Sequence, residues 1–217
     1  MFGRITGLIQ KELLIEYRES HSFWASLLYL TAIIYVVYRV MGDLSGLTWI
    51  AMFWIILLFT SINIIVSGNG GHIRRRALYH YSLYNPIEVL IAKTIYSWVK
   101  IIIAGCLLLG FLYVFSENSF SRWPIFIISL LLAGFGIATN LVFLSSVASY
   151  ANGQSTLIAI LSLPILIPVL LLAMKSSSVA GGMIFDSSVQ QDLYWLAGID
   201  LLTLGIALLL IPYLWKS

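Results

Sequence analysis

The imidazole and thiol side chains, the usual ligands of zinc and haem, are few: His21, His72, His80 and the single cysteine Cys106. His72 and His80 stand eight positions apart, no two histidines form an i, i+4 pair, and none has a short spacing to Cys106. Zinc and haem sites need several such ligands gathered by short motifs, so no metal or haem site built by this chain alone is expected. A lone cysteine allows no disulfide within the chain. No Gly-x-x-x-x-Gly-Lys-Ser/Thr phosphate loop occurs, so a process run on ATP would draw on another polypeptide, and no catalytic residue is expected here.

Other residues carry more information. Lys100 and Asp200 sit inside otherwise apolar runs. Charges within a membrane are costly, face a bundle interior as a rule and often pair. At about 1.5 Å per helical residue their backbone depths agree within a few ångströms. Two readings stand open: an ion pair in the bundle, or separate side chains reaching toward the headgroups. Arg74, Arg75 and Arg76 are followed by Tyr79, Tyr81 and Tyr84. Three consecutive arginines either hold a loop in the cytoplasm or, with the tyrosines, make a docking surface of the composition found at interface centres. Pro164 and Pro168 remove two backbone donors four positions apart and should kink their helix, for use as a hinge or simply for shape.

The elements that must position these residues are membrane spans. The chain is 60% hydrophobic and 10% charged over 217 residues, which cannot cover a water-facing surface. The apolar residues come in long runs at 23–38, 47–66, 89–115, 124–147, 156–174 and 193–215. A hydrocarbon core of roughly 30 Å takes about 20 helical residues to cross, so the runs predict six transmembrane helices in one domain covering 1–217. Barrel strands would alternate and break every ten or so positions; these runs do neither. With the amino terminus inside, Arg4, Lys11, Arg18, Arg74, Arg75, Arg76, Lys93 and Lys216 fall on the cytoplasmic side, against Arg39, Arg122 and Lys175 opposite. The excess puts both termini in the cytoplasm. The net charge of +3 is then a topology signal, too sparse for a nucleic-acid partner.

Residues 1–20 alternate charge with apolar side chains. Phe2, Ile5, Ile9 and Leu13 recur at helical spacing, and Arg4, Lys11 and Arg18 every seventh position. The segment is expected to lie along the inner membrane surface against lipid headgroups, or to pack on the bundle. Its Glu12, Glu16 and Glu19 speak against a cleaved signal peptide. The loop 67–88 is the most polar stretch and the long cytoplasmic one; Asn85 before Pro86 predicts a helix restart there.

The order of these features resembles the CcmB family. The likeness is carried by Lys11-Glu12 in the amphipathic segment, Leu83-Tyr84-Asn85-Pro86 closing the loop, Ala92-Lys93-Thr94-Ile95-Tyr96-Ser97-Trp98 opening the third span, and Leu163-Pro164-Ile165-Leu166-Ile167-Pro168-Val169-Leu170 in the fifth. It covers nearly the whole chain and departs at Tyr150-Ala151-Asn152-Gly153-Gln154, where a basic residue and paired glycines are common. The resemblance implies an all-α, ABC exporter permease-like membrane subunit of the haem-exporter-type transporter of cytochrome c maturation. It implies a bacterial inner-membrane location and a CcmA-like ATPase partner that holds the ATP, with 67–88 as the coupling loop. It further implies CcmC-like and CcmD-like partners, a second copy of the chain, and release of the haem-loaded chaperone CcmE, with haem handled by the complex and no cofactor bound by this chain alone. An ABC exporter permease for a lipid, drug or glycan, or a membrane assembly factor without a transport cycle, are the competing readings.

Overall fold

A backbone inside a bilayer finds no water to bond, so each crossing must satisfy its own N–H and C=O groups, and continuous helices do so. The computed structural model of the chain describes residues 6–8, 10, 28–29, 31–36, 39, 46–68, 85–115, 122–148, 154–184 and 188–214. Among them run five long helices, α1 (Gly46–Gly68), α2 (Pro86–Phe115), α3 (Trp123–Ala148), α4 (Gln154–Ala180) and α5 (Val189–Leu214). All five are long and apolar enough to cross a membrane, as expected of the second to sixth spans. The first expected span, 23–38, is described only in part, as helix at 28–29 and 31–36, with Ile34 seated in the core. Of the expected interfacial helix, residues 6–8 and 10 are helical, and the rest lies outside the described residues.

Two helix ends show why the chain turns where it does. Asn85 caps α2: its Oδ1 accepts the N–H of Ile87 at 3.3 Å, and Pro86, which has no N–H to lose, takes the first helical position. The helix restart expected at this dipeptide is present. The Leu163 to Leu170 stretch lies in a helix that overruns its expected end at 174 and continues to Ala180. There Gly182 adopts φ 72°, the N–H of Met183 reaches Ser178 O at 3.1 Å, and that of Gly182 reaches Val179 O at 3.1 Å. This paired closure of the last carbonyls requires a residue at positive φ, which glycine supplies without a Cβ penalty.

The central helix is α3, which packs on all four others. It runs antiparallel to α4, the N–H of Arg122 at its start meeting Ala180 O at 2.9 Å. Lipid is as apolar as leucine, so helices in a bilayer gain little from hydrophobic burial against one another and rely on close packing and hydrogen bonds. The core shows the first at the junction of α1 and α3. Phe53 meets Trp54 edge-on at 5.3 Å and Phe126 at 5.3 Å, and all three are fully buried. Leucines and isoleucines of α4 and α5 instead face outward, as lipid-facing surfaces do, and the aromatics Trp123, Tyr194, Trp195 and Tyr213 stand exposed near the helix ends, where amphipathic rings sit at the headgroup level.

Candidate functional site

Hydrogen bonds between the helices form a polar seam within this apolar bundle. At the end where α3 and α5 begin, Lys175 Nζ of α4 reaches both carboxylate oxygens of Asp192 of α5, at 3.0 Å to Oδ1 and 2.9 Å to Oδ2. At the same end, the hydroxyls of Ser129 on α3 and Ser176 on α4 are 2.7 Å apart, and Trp54 Nε1–H of α1 donates to Ser177 Oγ at 2.9 Å. The run Ser176, Ser177, Ser178 is buried throughout, and each hydroxyl has a partner: those of Ser176 and Ser178 return to backbone carbonyls of α4 and that of Ser177 accepts from Trp54. These bonds tie α1, α3 and α4 together.

Seven residues further along α3, about 10 Å at the helical rise, the seam changes character. Asp200 of α5 points into α3 at Gly136. A Cβ at Gly136 would overlap Asp200 Oδ1 and stand 3.0 Å from its Cγ, so only glycine allows this approach. Asn140, a turn on, donates through Nδ2 to Gly136 O at 2.9 Å. Asp200 itself is 2% exposed, and neither of its oxygens has a hydrogen-bond partner among the described residues. On α2, Lys100 holds its ammonium 5.3 Å from the centre of the Tyr96 ring. The two side chains have different neighbours: Lys100 stands over Tyr96 of its own helix, while Asp200 turns to the notch at Gly136. Trp98, two residues before Lys100, donates instead to Leu131 O at 3.0 Å and meets Phe135 edge-on, locking α2 against α3.

At the opposite end, Glu88 lies in the first turn of α2, favourable for a carboxylate at the positive end of the helix dipole. It is 6% exposed, and its Oε2 has no hydrogen-bond partner among the described residues. Among the described residues no three His, Cys, Asp or Glu gather as metal ligands.

A family model for the CcmB protein matches residues 4–213. The chain belongs to the CcmB family. No match to a curated protein and none to a solved structure was found. CcmB membership and the apolar helices together make this a multi-pass membrane transport protein of cytochrome c biogenesis, a permease subunit of the haem-exporter type.

In this CcmB chain the loop residues Arg74, Arg75, Arg76, Tyr79 and Tyr81 lie outside the described residues, as do His21, His72 and His80. Pro164 and Pro168 stand inside α4 with both side chains exposed, and the helix continues through them. Sequence reasoning missed the seam itself. Lys175 and Asp192 fall between the apolar runs 156–174 and 193–215, yet both are helical and paired. Asn140 and the serines carried a signal that went unread: amide and hydroxyl groups within an apolar span demand partners, and neighbouring helices supply them. Glu88, taken as the end of the loop 67–88, belongs to α2, and residues 67–68 belong to α1.

Proposed function

We propose that this chain is the membrane permease subunit of an ABC-type transporter complex for cytochrome c maturation, driven by a separate CcmA-like ATPase that docks on the loop between α1 and α2, residues 69–85. The observation that carries this reading is the family match over residues 4–213. Lack of a phosphate loop in the sequence agrees with an energy source on another chain. Arg74, Arg75, Arg76, Tyr79 and Tyr81 form the docking surface, and CcmC-like and CcmD-like proteins and a second copy of the chain complete the complex in the bacterial inner membrane. The complex acts on haem, releasing the haem-loaded chaperone CcmE on the far side. Both termini and the loop face the cytoplasm, so that Lys175 and Asp192 stand near the outer surface. Trp123, Tyr194 and Trp195 at that end support a headgroup level there. The six-helix count with an interfacial segment at 1–20 belongs to the same proposal.

Deletion of the gene should abolish covalent haem attachment to a c-type cytochrome while haem synthesis continues; normal attachment overturns the proposed role and favours an exporter of another substrate. Docking is tested by replacing Tyr79 and Tyr81 by Ala together, which leaves the inside charge intact. The ATPase should then copurify several-fold less well, and a wild-type yield with full stimulation sinks the docking surface.

A further inference from the structure

Asp200 lacks what buried carboxylates have elsewhere in proteins. It is 2% exposed, in the middle of α5, with no hydrogen-bond donor on either oxygen among the described residues. Among the described residues the helices packed on α5 are α2, α3 and α4. α3 has no charged side chain, and that of α4, Lys175, is bonded to Asp192. α2 carries Glu88, Lys93 and Lys100, and the last stands over Tyr96. Asn140 Nδ2, an amide donor on α3 one turn from the Gly136 notch against which Asp200 rests, donates to Gly136 O instead. An ionised carboxylate held in this way, without donor or cation, is among the costliest groups a bilayer protein can contain. On the α3 side the approach of Oδ1 to Gly136 is too close for a metal ion, which would need several oxygen ligands at about 2.3–2.6 Å for calcium and somewhat less for magnesium. A proton is the ligand that removes the charge without displacing α3.

We propose that Asp200 is a proton-binding site inside the membrane, and that the bound proton keeps the α3–α5 seam closed at Gly136. Release of the proton places a bare charge against the α3 backbone and drives the two helices apart or draws in water. The α3–α5 contact thereby becomes sensitive to proton occupancy in the middle of the bundle.

Infrared difference spectroscopy on the full chain in lipid nanodiscs at neutral pH tests this, with wild type compared against Asp200→Asn. The wild type should show the carbonyl-stretch band of a protonated carboxyl, shifted in heavy water and missing from Asp200→Asn. The band should persist in Lys100→Met. Absence of any difference between wild type and Asp200→Asn overturns the proposal, and so does a band that appears only once Lys100 is removed, which marks an ionised Asp200 held by Lys100. Should Asp200→Asn not fold, carbon-13 NMR of the wild-type chain labelled at aspartate carboxyls decides the matter. One neutral aspartate is expected, and four ionised ones overturn the proposal, Asp43, Asp186, Asp192 and Asp200 being the aspartates of the chain.

Discussion

Trp54 and Ser177, 123 positions apart in the chain, meet inside the bundle, where the indole Nε1–H donates to the serine Oγ at 2.9 Å. Both are fully buried, and the same indole meets Phe53 edge-on. The bond joins α1 to α4 directly. Trp54→Phe keeps an aromatic ring and removes the donor. It should cost about 1 kcal/mol, the usual worth of an intramolecular or interhelical hydrogen bond. Trp54→Ala also empties the site and should cost roughly 3–5 kcal/mol. Reversible unfolding from mild detergent into a denaturing one measures both, and equal losses for the two variants would mean that the hydrogen bond, rather than the ring, carries the contact.

The pair Lys175 and Asp192 fastens the same end of the bundle, with the lysine side chain 43% exposed and the aspartate 10%. Solvent reaches the lysine, so the attraction is screened. A double-mutant cycle with Lys175→Met and Asp192→Asn should give a coupling of about 0.5–1 kcal/mol, in the range of partly exposed pairs. Raising the salt concentration should shrink it. A coupling that stays constant up to molar salt would place the pair in a drier setting than its exposure indicates.

Gly136 and Asp200 make a steric prediction independent of protonation. Gly136→Ala introduces a methyl group where Asp200 Oδ1 stands. Overpacking of this kind costs roughly 1–3 kcal/mol. Asp200→Ala in the same chain clears the space, so the double variant should recover part of the loss. Strictly additive destabilisation in the unfolding assay would show that the two side chains do not compete for one volume.

Orientation is accessible to labelling. A cysteine placed at Arg75 in a chain whose Cys106 has been replaced should resist an impermeant thiol reagent added outside intact cells and react after the membrane is opened. Reaction from outside would invert the charge-based orientation for every span.

Much of the architecture was legible from residue order alone. Runs of Leu, Ile, Val and Phe with almost no charge determine helices and their approximate ends, because a bilayer permits no other solution for the backbone. Asn85-Pro86 marked the start of α2 through local chemistry, since a side-chain cap and a missing N–H act within one turn. The order of motifs along the chain pointed to the CcmB family, and the family match agrees. These are properties of composition and short range.

Which polar groups meet was decided by tertiary structure. Lys100 and Asp200 share a depth, and depth follows from counting residues, but a partner is chosen by helix rotation and packing, which the spacing of apolar residues cannot give when a helix is apolar on every side. Hydrophobic periodicity orients a helix against water. Inside a bilayer the lipid-facing and bundle-facing sides are alike, so the rotation of α5 depends on where α3 leaves room, at Gly136, and the register of α4 on where Ser176 and Ser177 find Ser129 and Trp54. The chain thus determines its spans through the solvent it lives in, while its interior contacts are decided by close packing between helices, a relation among distant residues that no single stretch of sequence contains.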